Sequence, residues 1–372
     1  MATSRILLTY ESVADGDEVQ SLLVVDGEER PLYAKAIAES VSDVVKTTVE
    51  SVRGTLEELS DIERRRSCRG LFPSDAYRDC MADIGKRLTH RLVPDEIACE
   101  LAESIARSRQ RRQCVHVTLV GQAVQDIPLE LLWLPSVDGE EAGFLGERAV
   151  VSRPLQHGLG NASALDRARR ATDVTRRLLA RAAVVHEQFS RVGVNVGCSK
   201  TCVPFRMTEI QAVLDKVGSR AMVQLVGHGY AVESNGQGVV ESGVVFAGDG
   251  GRLLASPRSL LIGTHTLDSI PEFSVVWIVA CDEALGHFPS KLAAETGSIV
   301  IAPWVRVPKM LGGRLARACW RAMDACADVE EPVEFAELWG IVQREMRGLG
   351  TLYRVYGNCR VNLIHDGDSH ES

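Results

Sequence analysis

The chain has 372 residues, of which 45% are apolar and 25% are charged, a composition typical of a folded globular protein and not of a disordered or collagen-like chain. Lysine and arginine number 42 against 50 aspartates and glutamates, so the net charge gives no overall attraction to nucleic acid or to an anionic membrane. Ten dispersed cysteines predict free thiols in a reducing compartment. Since the sequence shows neither a signal peptide nor an apolar run of the ~18 residues that span a bilayer, we expect a cytoplasmic protein without membrane insertion.

The first part of the chain has the pattern of an α/β layer. Short apolar stretches predict strands, and apolar residues at helical spacing predict helices. The predicted elements are strands at Ile6–Tyr10 and Ser21–Val25, a helix starting near Pro31, helices over Ala76–Leu92 and Asp95–Arg107, a strand from Cys114, an apolar stretch IPLELLWLP with one glutamate inside it, and the extended stretch FLGERAVVSRPL. This succession predicts one α/β half that ends near residue 160.

A helix over Ser163–Phe189 is the clearest single prediction, because Ser163 and Asp166 have the spacing of a capping box and an apolar stripe follows. Beyond it, continuous apolar strands such as MVQLV, SVVWIVA and SIVIAPW alternate with helices, which predicts an α/β fold with a largely parallel sheet flanked by helices. The predicted organisation is an N-terminal α/β half (1–160), a helical connector (161–192), a second half (193–366) and a polar tail (367–372).

Two reactive side chains directly follow apolar strands of the second half. MVQLV runs into Gly227-His228-Gly229, and SVVWIVA runs into Cys281. Ligands and catalytic groups collect at the carboxyl ends of parallel strands, and an imidazole in reach of a thiol can generate the nucleophilic thiolate. The flanking glycines leave the Gly229 amide available to an oxyanion. The residues alone leave a second interpretation open, in which Cys281 is an inert small apolar residue.

VQLVGHG and VVWIVACDEALG resemble the paired signatures of CHAT domains, a caspase-like cysteine peptidase family in which one strand leads into a GHG-like element and a later one into SACxTG. IPLELLW, SIVIAPWVRVP and VYGNCRVNL resemble further segments of that family in the same order, and DIGKRLTHRLVPDEI resembles the helix that precedes the first of them. The resemblance covers about Asp79 to Ile364. It implies a caspase-like fold with a degenerate caspase-like N-terminal half. It also implies that His228 is the general base, that Cys281 is the nucleophile, and that the amides of Gly229 and Cys281 form the oxyanion hole, without a cofactor or a metal.

The sequence departs from the family pattern at three places. Val279 stands where the family usually has serine, Glu283-Ala284 replaces Thr-Gly, and Pro308-Lys309 replaces an Asp-Asp pair. None of these departures removes the His228 and Cys281 pair.

The substrate pocket implied by the resemblance has Val279 at its floor. Related caspase-like peptidases that require a basic residue before the cut carry an acid at this position, and an apolar floor cannot offset the cost of burying a cation. We therefore expect a small or apolar residue before the cut. Arg306, close to Trp304 in sequence, would instead favour an acidic one. A basic residue before the cut is the third alternative, because three acids at the rim would attract it if they reach into the pocket. These acids are Asp249, Asp282 and Glu283.

Other chemically reactive residues have simpler interpretations. Cys198 and Cys202 have a spacing that suits a metal, but two more ligands would be needed, so core or surface thiols are favoured. His287 is the alternative base to His228. The arginine runs ERRRSCR and RSRQRR predict a solvated basic face in preference to a nucleic-acid contact.

The resemblance implies a cysteine endopeptidase that cleaves a specific protein partner, encoded nearby, in a prokaryotic regulatory or antiviral defence system. Family members commonly recognise substrates through tandem repeats, and no such repeat is apparent in this sequence. We therefore expect a separate activator or regulatory repeat protein. The alternative is a catalytically silent caspase-like interaction module or a subunit of an effector complex, and direct nucleic-acid binding is not expected.

Overall fold

The computed structural model describes residues 3–12, 18–31, 33–65, 74–120, 127–153, 176–179, 182–186, 200–204, 222–234, 238–248, 251–255, 260–262, 265–266, 275–280, 288–296, 298–327, 333–357 and 361–364. The chain divides into two compact units, one formed by Met1–Val174 with Ala336–Arg354 and the other by Thr175–Phe335 with Val355–Ser372. The domain boundaries expected from the sequence stay predictions, and the predicted polar tail lies outside the described residues.

The described strands are β1 (Thr3–Ser12), β2 (Glu18–Val25), β3 (Glu28–Glu29), β4 (Tyr33–Ala36), β5 (Cys114–Val120), β6 (Trp133–Leu134), β7 (Gly143–Phe144), β8 (Val150–Arg153), β9 (Arg176–Leu179), β10 (Ala182–His186), β11 (Lys200–Pro204), β12 (Met222–Ser234), β13 (Gly238–Gly248), β14 (Gly251–Ala255), β15 (Leu260–Ile262), β16 (His265–Thr266), β17 (Val275–Ala280), β18 (Ile299–Pro303), β19 (Val333–Glu334), β20 (Tyr353–Tyr356) and β21 (Val361–Ile364). The described α-helices are α1 (Val41–Arg65), α2 (Ser74–Leu92), α3 (Asp95–Gln110), α4 (Leu145–Arg148), α5 (Phe288–Thr296), α6 (Lys309–Ala327) and α7 (Phe335–Met346).

The first unit is built on a mixed sheet. β1 pairs antiparallel with β2 and parallel with β5, and β5 pairs parallel with β8. β3 and β4 both pair antiparallel with β2. Ile6 and Leu8 of β1 are buried, as expected for a strand whose alternate side chains face a core. The predicted strands at Ile6–Tyr10 and Ser21–Val25 are confirmed.

The second unit contains the parallel sheet that the apolar strands predicted. Its strands run in the order β11, β10, β12, β17, β18, and each described pair among them is parallel. All side chains from Val275 to Val279 of β17 are buried, because a parallel sheet is covered on both faces. The α/β class with a largely parallel sheet flanked by helices is confirmed.

The helix predicted over Ser163–Phe189 is wrong wherever the structure describes that segment, since it contains β9 and β10. β10 lies between β11 and β12. Arginine and alanine favour a helix in isolation, but here the pairing of Ala182–His186 on both sides outweighs this local preference. The helix predicted to start near Pro31 begins later, after β4. Ser40 precedes α1, and its hydroxyl accepts a hydrogen bond from the Asp43 amide at 3.2 Å, as an N-cap residue does.

A close approach of α2 fixes the IPLELLW segment in the first unit. A Cβ atom on Gly85 would lie 2.4 Å from the Leu131 carbonyl oxygen, so no larger residue fits there. The Trp133 amide also donates to the Thr89 hydroxyl at 2.8 Å. Leu129–Leu131 form a 3-10 turn within this segment.

A buried histidine in the first unit has a strongly shifted pKa. A ring nitrogen of His116, Nε2, lies 2.7 Å from the Ser152 hydroxyl, within the sheet formed by β5 and β8. Burial and, as the smaller cause, the positive charge of Arg5 together lower the pKa of His116 to about 4. The folded protein therefore keeps this imidazole neutral at pH values where a solvated histidine is protonated.

We expect His116 to make the fold sensitive to mild acid. In the unfolded chain the imidazole takes up a proton below about pH 6.5, whereas in the folded protein it does so only near pH 4. Its contribution to stability is complete above pH 6.5 and is lost as the pH falls toward 4, which amounts to about 2 kcal/mol between pH 7.5 and 5. Urea unfolding of the wild type and of His116→Gln at both pH values measures the difference.

The glutamine keeps a hydrogen bond to Ser152 and cannot titrate, so its stability should fall less between the two pH values than that of the wild type. Exposed His90 is the control, since His90→Gln should leave the wild-type dependence in place. Equal losses of stability in the wild type and in His116→Gln would contradict the assignment.

Candidate active site at the carboxyl edge of the parallel sheet

β12 is the element that carries His228, and it changes its pairing at this residue. From Met222 to Gly227 it pairs parallel with β17, whereas from His228 onward it pairs antiparallel with β13. The expectation that the strand ends before His228 is therefore wrong, because the GHGYAVES segment continues as the first arm of a hairpin. His228 instead marks the point where the chain leaves the parallel sheet.

The register between β12 and β17 relates the two residues singled out from the sequence. Their last described pair is Gly227 opposite Ala280. His228 directly follows the first member of this pair, and Cys281 directly follows the second. Cys281 lies outside the described residues, as do four other residues considered above, Asp249, Asp282, Glu283 and His287. Gly229 lies in β12, opposite Val244 of β13.

The strand order places this edge beside a reversal of the sheet. β11 comes after β10 in the sequence and pairs with one edge of it. β12 pairs with the opposite edge of β10, and the sheet continues from β12 to β17 and β18. In sheets of this order, ligands bind outside the carboxyl ends of the strands where the direction of winding reverses. The reversal lies between β10 and β12, and β12 is the strand that leads into His228.

Val279 is a core residue at the end of β17. Its side chain is 8% exposed, and its Cγ1 atom lies 2.8 Å from the position that a Cβ atom on Gly312 of α6 would take. Two residues earlier, the Trp277 ring meets the Trp320 ring of α6 edge to face, with centroids 6.0 Å apart. Both contacts put α6 on the same face of β17, since alternate residues of a strand share a face.

β18 brings two further predicted pocket residues to the same edge. It pairs parallel with β17, from Val275 opposite Ile299 onward, so its carboxyl end points the same way. Trp304 and Arg306 follow this end, the first half-buried and the second exposed. The carboxyl ends of β17 and β18 therefore carry Val279, Trp304 and Arg306, three of the residues expected around the substrate.

A cluster of partly buried charges in the first unit was missed by the sequence analysis. Arg78 pairs with Glu147 at 2.7 Å, and Glu140 pairs with Arg109 at 3.0 Å and with Arg148 at 3.6 Å. Burial raises the pKa of Glu147, with Arg78 opposing the shift. Burial likewise lowers the pKa of Arg148, with Glu140 opposing it. The segment FLGER was expected to be extended, but it contains α4. The cluster ties this segment to α2 and α3.

The described ranges hold no group of three or more histidine, cysteine, aspartate or glutamate residues that could bind a metal ion. Cys202 lies in β11, and Cys198, its predicted neighbour in a metal site, falls outside the described residues. None of the helices in the described part is long and apolar enough to cross a bilayer.

Comparison with solved structures finds similarity to a chain in two crystal structures of the Saccharomyces cerevisiae separase-securin complex. The structure at 2.6 Å resolution gives a TM-score of 0.49 at 9% sequence identity, and the one at 3.0 Å gives 0.48 at 8%. Each match covers 97% of the present chain and 30% of the matched chain. The present chain thus spans about a third of that chain's length. No family model matches this protein, and no curated protein matches it.

Proposed function

We propose that the protein is a cysteine endopeptidase of caspase-like fold that cleaves a specific protein partner with His228 and Cys281. The observation that carries the proposal is the parallel register of β12 and β17, whose last pair is Gly227 and Ala280. The two reactive residues are the next ones along two neighbouring strands. The CHAT-like order of the segments around them supports the same assignment.

In the proposed reaction, His228 takes the proton from the Cys281 thiol, and the resulting thiolate attacks the carbonyl carbon of the scissile peptide bond. The amides of Gly229 and Cys281 stabilise the oxyanion that forms. The imidazolium of His228 then gives its proton to the leaving amine, and a thioester remains on Cys281. Water, deprotonated by His228, hydrolyses the thioester and regenerates the thiol.

The proposal extends to the residue before the cut. Val279 is apolar and belongs to the buried end of β17, so no negative charge at this position favours a basic side chain. We therefore propose that the substrate has a small or apolar residue before the cut. Exposed Arg306 at the end of β18 is the feature that would favour an acidic one. Recognition of the whole partner falls to the first unit or to a separate regulatory protein, in a prokaryotic defence or regulatory system.

The reactivity of Cys281 tests the proposal without knowledge of the substrate. We expect iodoacetamide to alkylate Cys281 with a pH midpoint well below the ordinary thiol value of about 8.5. His228→Gln should return the midpoint to about that value. The measurement is the alkylation rate of each cysteine-containing peptide between pH 5 and 9, followed by mass spectrometry.

Cys80 and Cys99 are exposed thiols of the same chain and serve as internal references. Both should react alike in the wild type and in His228→Gln. If Cys281 instead shows an ordinary midpoint in the folded wild type, the dyad is absent and the catalytically silent interaction module is the better interpretation.

A further inference from the structure

We infer that Gly312 is a positioning residue for the nucleophile. Because it has no side chain, the first turn of α6 can lie directly against Val279. The inference rests on the proposed function, since it concerns the placement of Cys281. It adds a residue on a different element, 31 positions beyond the nucleophile in the sequence, to the machinery of the site.

The contact between Gly312 and Val279 leaves no room for a side chain on the helix. A Cβ atom at position 312 would lie 2.8 Å from the Val279 Cγ1 atom, which is closer than real Cβ atoms approach a neighbour. Val279 cannot readily turn away, because its branched side chain has a restricted χ1 angle and it is 8% exposed. An added methyl group must therefore move the helix or the strand.

A second contact prevents α6 from moving away as a rigid body. Eight residues after Gly312, Trp320 meets Trp277 of β17, with ring centroids 6.0 Å apart. Both rings are buried. Displacement of the helix would break this packing, so the strain falls mainly on the end of β17, which leads through Ala280 to Cys281.

The neighbouring glycine shows that the helix itself does not require glycine here. Gly312 lies in the first turn of α6, where its amide donates to the Pro308 carbonyl at 3.2 Å. Gly313 follows it in the same turn, and nothing lies within 4 Å of a Cβ atom built on it. Glycine is less favourable than alanine within a helix, so the contact with Val279 is the physical reason for glycine at 312.

A small shift at Val279 matters because catalysis depends on the distance between thiol and imidazole. Misplacement of a reacting group by about 1 Å can cost roughly a hundredfold in rate. In the proposed dyad Cys281 follows Val279 by two residues in the sequence, so a displacement of the end of β17 would change the approach of the thiol to His228. The fold can survive such a change while the activation of the thiol is lost.

The test compares Gly312→Ala with Gly313→Ala in the full chain. For each variant, the alkylation rate of Cys281 by iodoacetamide is measured from pH 5 to 9, together with the midpoint of urea unfolding. Gly313→Ala should keep the wild-type Cys281 profile. Gly312→Ala should raise the pH midpoint of Cys281 and slow its alkylation at pH 7 about tenfold, as expected if a misplaced thiol loses its base. Cys80 should react as in the wild type.

Removal of the Val279 methyl groups separates positioning from a general loss of stability. In a Val279→Ala background the alanine at 312 has space, so Val279→Ala and Val279→Ala/Gly312→Ala should show the same Cys281 profile. If Gly312→Ala alone does not fold, the comparison of Val279→Ala with the double variant still tests the inference. A slower Cys281 in the double variant than in Val279→Ala overturns the inference, and so does an unchanged profile in folded Gly312→Ala. An ordinary midpoint in the wild type would instead refute the dyad.

Discussion

Cys281→Ala and His228→Ala are each expected to abolish cleavage of the partner protein, with a loss of about a thousandfold or more, while the chain stays folded. The two side chains act as one unit, since a thiol without its base is a poor nucleophile and a base without the thiol has nothing to activate. Losses within such a unit do not add, so the double variant should be no worse than either single one. The proteins encoded by the adjacent genes are the substrates to test. Each is incubated with the protein, and mass spectrometry of the products identifies the cleaved partner and the residue before the cut.

Cys202→Ala and Cys198→Ala are the controls for this experiment and should stay within a few-fold of the wild type. A large loss in either would revive the metal interpretation of the CSKTC segment. Activity above about a tenth of the wild type in Cys281→Ala or His228→Ala would contradict the dyad.

The elements that carry the candidate site were accessible from the sequence because their pattern is local. The apolar runs MVQLV and SVVWIVA are long enough to mark buried parallel strands, and β12 and β17 are found there as neighbours. Their register could not be read from the runs, because it depends on pairing between residues about fifty positions apart. The continuation of β12 through His228 was also missed, although its partner β13 lies close by in the sequence and forms a hairpin with it.

Several features that the sequence analysis missed depend on contacts between separate elements. β10 has helix-forming residues, and its pairing with two strands decides its conformation. Gly312 resembles Gly313 in sequence, and only the approach of Val279 distinguishes them. Glu130 is likewise an acid inside an apolar run whose partner lies 23 positions away. Periodicity reports which face of an element is buried, but not which atom meets it.

The pair formed by Glu130 and Arg153 is buried in the first unit. The Arg153 side chain has no exposed surface, and that of Glu130 is 4% exposed. The Arg153 guanidinium forms two hydrogen bonds to the Glu130 carboxylate, one of them 2.8 Å long from Nη2 to Oε2. The same Nη2 atom donates to the Ile127 carbonyl at 2.8 Å. The pair thus joins the end of β8 to the IPLELLW segment, and no bulk water screens it.

Glu130→Gln is expected to lower the free energy of unfolding by about 3–5 kcal/mol, because it removes the negative charge that lies against the buried Arg153 guanidinium. Replacement of both residues by apolar ones of similar size, Glu130→Leu with Arg153→Met, should cost less than Glu130→Gln alone, since both charges of the pair are removed together. Urea unfolding of the wild type, of Glu130→Gln and of the double variant measures these free energies. Asp83 and Lys86 form an exposed pair at 3.3 Å, and Asp83→Asn should change stability by at most about 1 kcal/mol. If Glu130→Gln were as mild as Asp83→Asn, the buried charge would have to be compensated by other groups, and the fold would not depend on this pair.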